Sequence, residues 1–166
     1  MALIFGSNNA DSLGSLNTDD TIFGLGGNDT LDGAGGADVL YGGDGNDQIF
    51  GGTGTDVLYG GDGNDTLVNE AGSASLYGGV GNDTLQGSGS GAVERLEGGD
   101  GNDTFRLSTP GGDYTNDLHL GGIGFDRQLF LATTDGQSFD TDGLEVNSIE
   151  EIEFAAIGIG KDVTVT

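Results

Sequence analysis

Single apolar residues recur along the chain at a fixed spacing, separated by polar, glycine-rich segments. In a frame of nine that begins at Gly6, the eighth residue of each unit is leucine or isoleucine: Leu13, Ile22, Leu31, Leu40, Ile49, Leu58, Leu67, Leu76 and Leu85. Because side chains alternate along a strand, an apolar residue between polar neighbours predicts a short strand with its middle side chain inward. A fixed period carried over many units predicts a solenoid of stacked repeats.

The sixth residue of these units is an aspartate, with Ala74 as the exception. The aspartates are Asp11, Asp20, Asp29, Asp38, Asp47, Asp56, Asp65 and Asp83. An irregular unit of eleven residues at 87–97 keeps Leu96 in place, and the frame resumes at 98–106 with Asp103 and Phe105. Glycine, which tolerates positive φ and close backbone approach, fills most of the first four positions. Such a loop can direct carbonyl and carboxylate oxygens toward one point, and these are the hard ligands that calcium prefers.

Composition narrows the choice of partners. The chain has 36 glycines, one proline, no cysteine and a formal net charge of -24, and its four basic residues all follow residue 94. The electrostatic field of this negative charge repels nucleic acid and anionic membrane surfaces, so we expect neither a nucleic-acid partner nor membrane insertion. A disulfide is excluded. The chain is then either a disordered polyanion or an ordered array with cations between its carboxylates, and the regular repeat favours the array.

The best units read Gly-Gly-Asp-Gly-Asn-Asp-x-(Leu/Ile)-x, which resembles the RTX calcium-binding nonapeptide, and eleven units follow one another over residues 6–106. The resemblance implies an all-β, right-handed parallel β-roll with two nonapeptides per turn. Loops 18 residues apart then stack one strand spacing apart, about 4.8 Å. In this family calcium lies between stacked loops. The lower loop supplies the carbonyls of positions two and four and its Asp, and the upper loop supplies those of positions one and three and its Asp.

This period divides the aspartates between two edges. The first edge carries Asp11, Asp29, Asp47, Asp65, Asp83 and Asp103, and the second carries Asp20, Asp38, Asp56 and then Ala74. We expect four calcium sites on the first edge, between the loops that begin at 24, 42, 60, 78 and 98. The second edge should hold one, between the loops at 33 and 51, because Ala74 removes a carboxylate from the next site.

The resemblance thus implies about five strong calcium ions, with weaker ones elsewhere. The candidate ligands are Asp29, Asp47, Asp65, Asp83, Asp103, Asp38, Asp56, Gly27, Gly36, Gly42, Gly43, Asp44, Gly45, Gly51, Thr53, Gly60, Gly61, Asp62, Gly63, Gly78, Gly79, Val80, Gly81, Gly98 and Asp100. Asp11, Asp20 and Asp126 are candidates for weaker sites.

One outer face carries an aromatic column, formed by Phe23, Tyr41, Tyr59 and Tyr77 at intervals of 18 residues. We expect these rings to stack about 4.8 Å apart. Three interpretations remain open: a ligand face for sugar rings, a surface covered by the C-terminal segment, or ordinary cross-strand packing.

The nonapeptides end at Arg106, so we predict a β-roll over residues 1–106 and a short β-rich C-terminal cap over residues 107–166. Gly121–Asp126 forms one more loop of the same kind, although Gln128 stands where leucine is expected. Alternating runs near residues 129–131, 144–146, 149–154 and 163–165 predict strands. The ending 162–166 resembles the tail of a type I secretion signal.

Nothing in the pattern indicates an enzyme. His119 is the only histidine, and we expect it at the surface. We therefore expect a calcium-binding module that folds outside the cell and supports secretion and stability of an exported bacterial protein. Its route would be the type I route, which needs no signal peptide. The alternative is a calcium-dependent binding module for an extracellular, alginate-like polysaccharide, since the chain is similar in size to the R-modules of alginate epimerases, or a cell-surface adhesion module.

Overall fold

The computed structural model describes residues 1–88, 92–107, 117–132, 138–139, 145–147, 149, 151–156 and 164–165. These residues form strands and turns and contain no helix. No segment among them is a helix of the length and apolarity needed to cross a membrane. Of the predicted C-terminal tail, only Thr164–Val165 belongs to the described residues.

Two parallel sheets face each other across the core. Sheet A contains, in spatial order, β1 (Leu3–Phe5), β3 (Thr21–Gly26), β6 (Val39–Asp44), β8 (Thr53–Asp62), β10 (Ala71–Val80), β12 (Arg95–Asp100), β14 (Leu118–Ile123) and β17 (Glu145–Asn147), and β5 (Gly35–Gly36) pairs with β8. Sheet B contains β2 (Ser12–Gly14), β4 (Thr30–Asp32), β7 (Gln48–Phe50), β9 (Thr66–Val68), β11 (Thr84–Gln86), β13 (Thr104–Leu107), β15 (Arg127–Ala132) and β18 (Glu151–Ala156). A separate pair joins β16 (Ser138–Phe139) to β19 (Thr164–Val165).

The chain passes from one sheet to the other at every turn, as the parallel β-roll requires. Partners in register are 18 residues apart in the regular units, for example Leu40 and Leu58. The offset increases at the eleven-residue unit, where Leu76 pairs with Leu96. The predicted all-β parallel β-roll is confirmed.

The predicted inward positions form the core. Among the described residues, ten apolar side chains have no exposed surface: Ile22, Leu31, Leu40, Ile49, Leu58, Leu67, Leu76, Leu85, Leu96 and Phe105. Ile4 and Leu13, in the first turn, are only partly buried against this cluster. The core is one residue wide on each sheet, so every turn of the nonapeptide region adds one apolar residue from sheet A and one from sheet B.

Beyond the nonapeptides, both sheets continue without a break. Strands β14 and β17 extend sheet A, and β15 and β18 extend sheet B. The predicted boundary at residue 106 therefore marks the end of the repeat sequence, while the two sheets run on past it. A separate C-terminal cap domain remains a prediction.

The prediction that His119 lies at the surface is wrong. Its side chain is fully buried at an inward position of β14, where its ring stacks on Phe105 with centroids 5.5 Å apart. His119 Nδ1 lies 2.6 Å from Gln128 Oε1, and Gln128 Nε2 donates to the Phe105 carbonyl at 3.1 Å. Burial lowers the pKa of His119 to about 4. A polar pair thus occupies this level of the core in place of two apolar side chains.

The aromatic column has the predicted spacing. Neighbouring ring centroids are 4.8 Å apart from Phe23 to Tyr41 and from Tyr41 to Tyr59, and 5.0 Å apart from Tyr59 to Tyr77. Phe5, which the sequence analysis did not include, adds a fifth ring 5.1 Å below Phe23. The planes of adjacent rings differ by 11° or less, so the rings form one continuous stack.

Candidate calcium sites

The turns of the first edge lead from sheet A to sheet B and stack directly on one another. Their close approach explains the glycines. Gly45 has a φ of 134°, and a Cβ at this position would overlap the Gly27 carbonyl oxygen of the loop below. Only glycine fits both the conformation and the space.

Carbonyl groups from both loops point into the layer between them. In the loops that begin at 24 and 42, the carbonyls of Leu25 and Gly27 point up toward Gly43 and Gly45, where added Cβ atoms would meet them. From above, the Asp44 carbonyl points down and accepts the Gly27 N–H at 2.8 Å. These groups occupy positions two and four of the lower loop and position three of the upper loop.

The position-one glycine marks a second part of the same layer. A Cβ at Gly24 would collide with Asp29 Oδ2 of its own loop and with the Gly42 carbonyl oxygen of the loop above. The same pair of contacts recurs at Gly42, Gly60, Gly78 and Gly98. One carboxylate oxygen and one carbonyl oxygen therefore converge beside each of these glycines.

Each first-edge aspartate uses its two oxygens differently. Oδ1 accepts the backbone N–H of the aspartate one turn earlier, at 2.7–2.8 Å, in Asp29, Asp47, Asp65, Asp83, Asp103 and Asp126. Among the described residues, Oδ2 is buried and has no hydrogen-bond partner in Asp29, Asp47, Asp65, Asp83 and Asp103. A buried carboxylate oxygen without a partner is costly, and a cation would remove that cost.

Burial also makes several of these carboxylates hard to ionise. It raises the pKa of Asp83 to about 7 and those of Asp65 and Asp103 to about 6, against an ordinary value of 3.8. The bond that Asp83 accepts from the Asp65 N–H partly offsets this effect, and the neighbouring carboxylates of Asp65 and Asp103 add to it. A divalent cation between turns would compensate both causes, because it replaces lost hydration and screens the repulsion.

The second edge repeats this geometry in its lower half. Asp38 Oδ1 accepts the Asp20 N–H at 2.7 Å, and Asp56 Oδ1 accepts the Asp38 N–H at 3.0 Å. Within the described structure, Oδ2 of Asp38 and of Asp56 is buried without a partner. Burial raises the pKa of Asp56 to about 6.

Above Asp56 the second edge changes. Ala74 lies in register with Asp56 and is itself buried, so the aspartate column stops there. Glu94 then occupies the aspartate position of the irregular unit, and its N–H donates to Asp117 Oδ1 at 2.8 Å. Neither Glu94 nor Asp117 was among the predicted site residues. Glu94 precedes Leu96 by two residues, as the aspartates precede their leucines, and Asp117 precedes His119 by the same interval.

The weaker candidates differ from one another. Asp126 continues the first-edge column as Asp103 does, since its Oδ1 accepts the Asp103 N–H at 2.8 Å. Asp11 is only partly buried. Asp20 already has protein donors, because the Thr18 hydroxyl lies 2.9 Å from its Oδ2 and the Ala2 N–H donates to its Oδ1.

The donor set of these layers suits a hard divalent cation. Nowhere in the described part of the chain do three or more carboxylate, imidazole or thiolate side chains gather into a metal site. Each first-edge layer instead combines one carboxylate from each of its two loops with several main-chain carbonyls, an all-oxygen set of the kind calcium accepts.

Comparison with known proteins agrees with this chemistry. The family model for the RTX calcium-binding nonapeptide repeat matches residues 5–40, 15–49, 32–67, 41–76, 70–91 and 88–107. A search of curated proteins gives no match. Because the matched segments together extend over more than half of the chain, and because the turns stack as described above, the chain belongs to the family of RTX calcium-binding nonapeptide repeats.

Proposed function

We propose that this chain is a calcium-dependent folding module of an exported bacterial protein. The observation that supports it is the row of buried, partnerless Oδ2 atoms along both edges. Carboxylates in such a row repel one another and have lost their water, so the roll needs a cation in each layer that these carboxylates line.

The loop geometry supports the following ligands for a first-edge layer. Between the loops at 42 and 60, Gly43, Gly45 and Asp47 would act from below, and Gly60, Asp62 and Asp65 from above. The layers between 24 and 42, 60 and 78, and 78 and 98 repeat this set, and the loops at 33 and 51 form the second-edge counterpart. Calcium would supply the positive charge that joins consecutive turns. A site adds about 2.7 kcal/mol to the free energy of unfolding when the free calcium concentration is 100 times the dissociation constant.

A calcium requirement suits export. Extracellular calcium modules bind at roughly 10⁻⁴–10⁻³ M, far above the calcium level inside a cell. The chain would stay unfolded and able to pass a secretion channel in the cytoplasm, and would fold outside. The type I route and the extracellular or cell-surface location belong to this proposal.

Circular dichroism tests the proposal directly. In excess chelator the spectrum should be that of a disordered chain, and millimolar calcium should produce a β spectrum cooperatively. Magnesium, which prefers strict octahedral geometry and retains its water, should fail at the same concentration. A β spectrum that persists in chelator at neutral pH would refute the proposal.

The polysaccharide alternative depends on the aromatic column. Rings stacked at 4.8–5.1 Å leave no space for a sugar between them and cover much of each other's faces. Phe23, Tyr41, Tyr59 and Tyr77 thus present mainly their ring edges, and the three tyrosines also their hydroxyls, which weighs against a sugar-stacking platform. A glycan array in saturating calcium separates the alternatives, since binding that is lost in a Tyr41→Ser, Tyr59→Ser variant would favour the polysaccharide function.

A further inference from the structure

One layer of the second edge departs from the rest in two linked positions. From residue 24 onward, each unit begins with glycine, except the unit that begins at Asn69. Glycine is required elsewhere because a Cβ at position one, as at Gly60, would collide with the carboxylate of its own loop, here Asp65. In the unit of Asn69 the sixth residue is Ala74, so no carboxylate stands in the way. The space vacated by a carboxylate is therefore open to the Asn69 side chain.

The Asn69 side chain lies in the layer between its own loop and the loop of Gly87. It is 1% exposed, and Nδ2 donates to the Gly72 carbonyl at 2.9 Å and to Glu94 Oε1 at 2.7 Å. Glu94 is also 1% exposed and accepts the Ser88 N–H at 3.0 Å with each carboxylate oxygen. One amide group thus bridges two consecutive turns.

The two oxygens that this amide contacts are the counterparts of calcium ligands. Gly72 holds position four of the lower loop, as Gly45 does on the first edge, and Glu94 holds the aspartate position of the upper loop. The Asn69 amide N–H groups point at these two oxygens, which would otherwise be free to bind a cation. Since Nδ2 is donor only, both bonds fix the orientation of the amide. Its Oδ1 takes no hydrogen bond within the described structure.

We propose that the Asn69 amide replaces the cation in this layer, so that a metal-free, hydrogen-bonded staple joins two turns of an otherwise calcium-dependent roll. The inference rests on the proposed function, according to which the other layers bind calcium. The proposal explains why Asn69 and Ala74 occur in the same unit. Ala74 leaves room for the Asn69 side chain, and the Asn69 amide compensates for the carboxylate that Ala74 lacks. The proposal also predicts that this layer binds no calcium in the native chain.

The replacement of one group tests the staple. Asn69→Asp exchanges the amide donor for a carboxylate that faces Glu94 and the Gly72 carbonyl, which recreates a cation site. We expect calorimetric titration to give about one additional calcium per chain. The melting temperature should fall at low calcium and recover as calcium is raised. The matched control is Asn64→Asp, at an exposed asparagine whose Oδ1 acceptor survives the exchange, and it should leave the calcium count unchanged. Equal behaviour of the two variants would overturn the proposal.

A second pair of variants covers the case in which Asn69→Asp does not fold. Ala74→Asp alone should be destabilised, because its carboxylate would meet the Asn69 side chain. Asn69→Gly combined with Ala74→Asp should fold and bind more calcium than the native chain. If Ala74→Asp alone gained as much calcium as the combined variant, Asn69 would not fill the layer. A native chain that binds no calcium would instead refute the proposed function, and the two failures are thereby distinguished.

Discussion

The two edges of the roll are built from the same nonapeptide but are connected by different chemistry. The first edge repeats one arrangement from Asp29 to Asp126, in which every carboxylate accepts the N–H of the aspartate below. The second edge keeps this arrangement up to Asp56 and then passes through Ala74 and the Asn69–Glu94 bridge. The arrangement resumes where Asp117 accepts the Glu94 N–H.

The apolar core is the same beside both edges. Leu58, Leu67, Leu76 and Leu85 have no exposed surface on either side of Ala74, and β8 and β10 stay paired in register across it. The apolar period therefore determines the register of the roll, and the turns determine its charge and its cation requirement. A turn can lose its carboxylate without breaking the sheets as long as another group joins the loops.

The largest difference between the two edges is expected in the calcium midpoint when Asp65 is replaced. Asp65→Asn removes a ligand from the two first-edge layers that flank it, so the calcium midpoint for folding should rise by about tenfold or more, given about 1.4 kcal/mol per factor of ten. Asp20→Asn should shift the midpoint by less than about twofold, since Thr18 and Ala2 already bond this carboxylate. Calcium titrations followed by circular dichroism give both values. Equal shifts would show that the two edges are equivalent.

Acid should partly replace calcium, mainly on the first edge. The folded-state pKa is about 7 for Asp83 and about 6 for Asp65, Asp103 and Asp56, while the ordinary value is 3.8. A raised pKa means that the folded chain binds protons more tightly, so its stability is greatest below pH 3.8 and is lost as the pH rises through about 6 to 7. His119 opposes this trend, because its pKa of about 4 means that its contribution is lost as the pH falls from 6.5 through about 4.

Calcium-stripped protein should therefore gain β structure between pH 7 and about pH 4.5, since several carboxylates outweigh one histidine. The Asp65→Asn variant offers a control, because its effects on folding with and without calcium should have opposite signs. It should weaken folding in calcium, yet favour folding without calcium at pH 7, because it removes one buried charge. Circular dichroism that stays unchanged on acidification would contradict this account of the buried carboxylates.

The sequence was sufficient for the roll and for the columns of nonapeptide aspartates, and insufficient for several buried polar groups, among them Asn69 and His119. The period of leucines requires one inward side chain per strand, which leaves few alternatives for the fold. Asn69 departs from the period, and its position in the sequence alone does not show whether its side chain points into the layer or toward solvent. The structure places it inside because Ala74 leaves room.

His119 could have been placed by the same period. Leu118 and Leu120 flank it on the strand, and alternation puts His119 on the opposite face from both. Asp117, two residues earlier, matches the interval between aspartate and inward residue in the nonapeptides. The preference of histidine for exposed positions misled the prediction, and the bond to Gln128 shows how the core accommodates it.

The smallest expected effect concerns the asparagine column that precedes the first-edge aspartates. Asn64 Oδ1 accepts the Asn82 N–H, and the Asn64 N–H in turn donates to Asn46 Oδ1, both at 2.7 Å. On the second edge the equivalent residue is Thr55, whose side chain makes no hydrogen bond within the described residues. In saturating calcium, Asn64→Ala should cost about 0.5–1.5 kcal/mol, which corresponds to a fall of roughly 1–6 °C in melting temperature. Thr55→Ala should stay within about 0.5 kcal/mol of the native chain. Calorimetric melting of the two variants gives the difference, and a loss at Thr55 as large as that at Asn64 would show that the column adds nothing specific to the first edge.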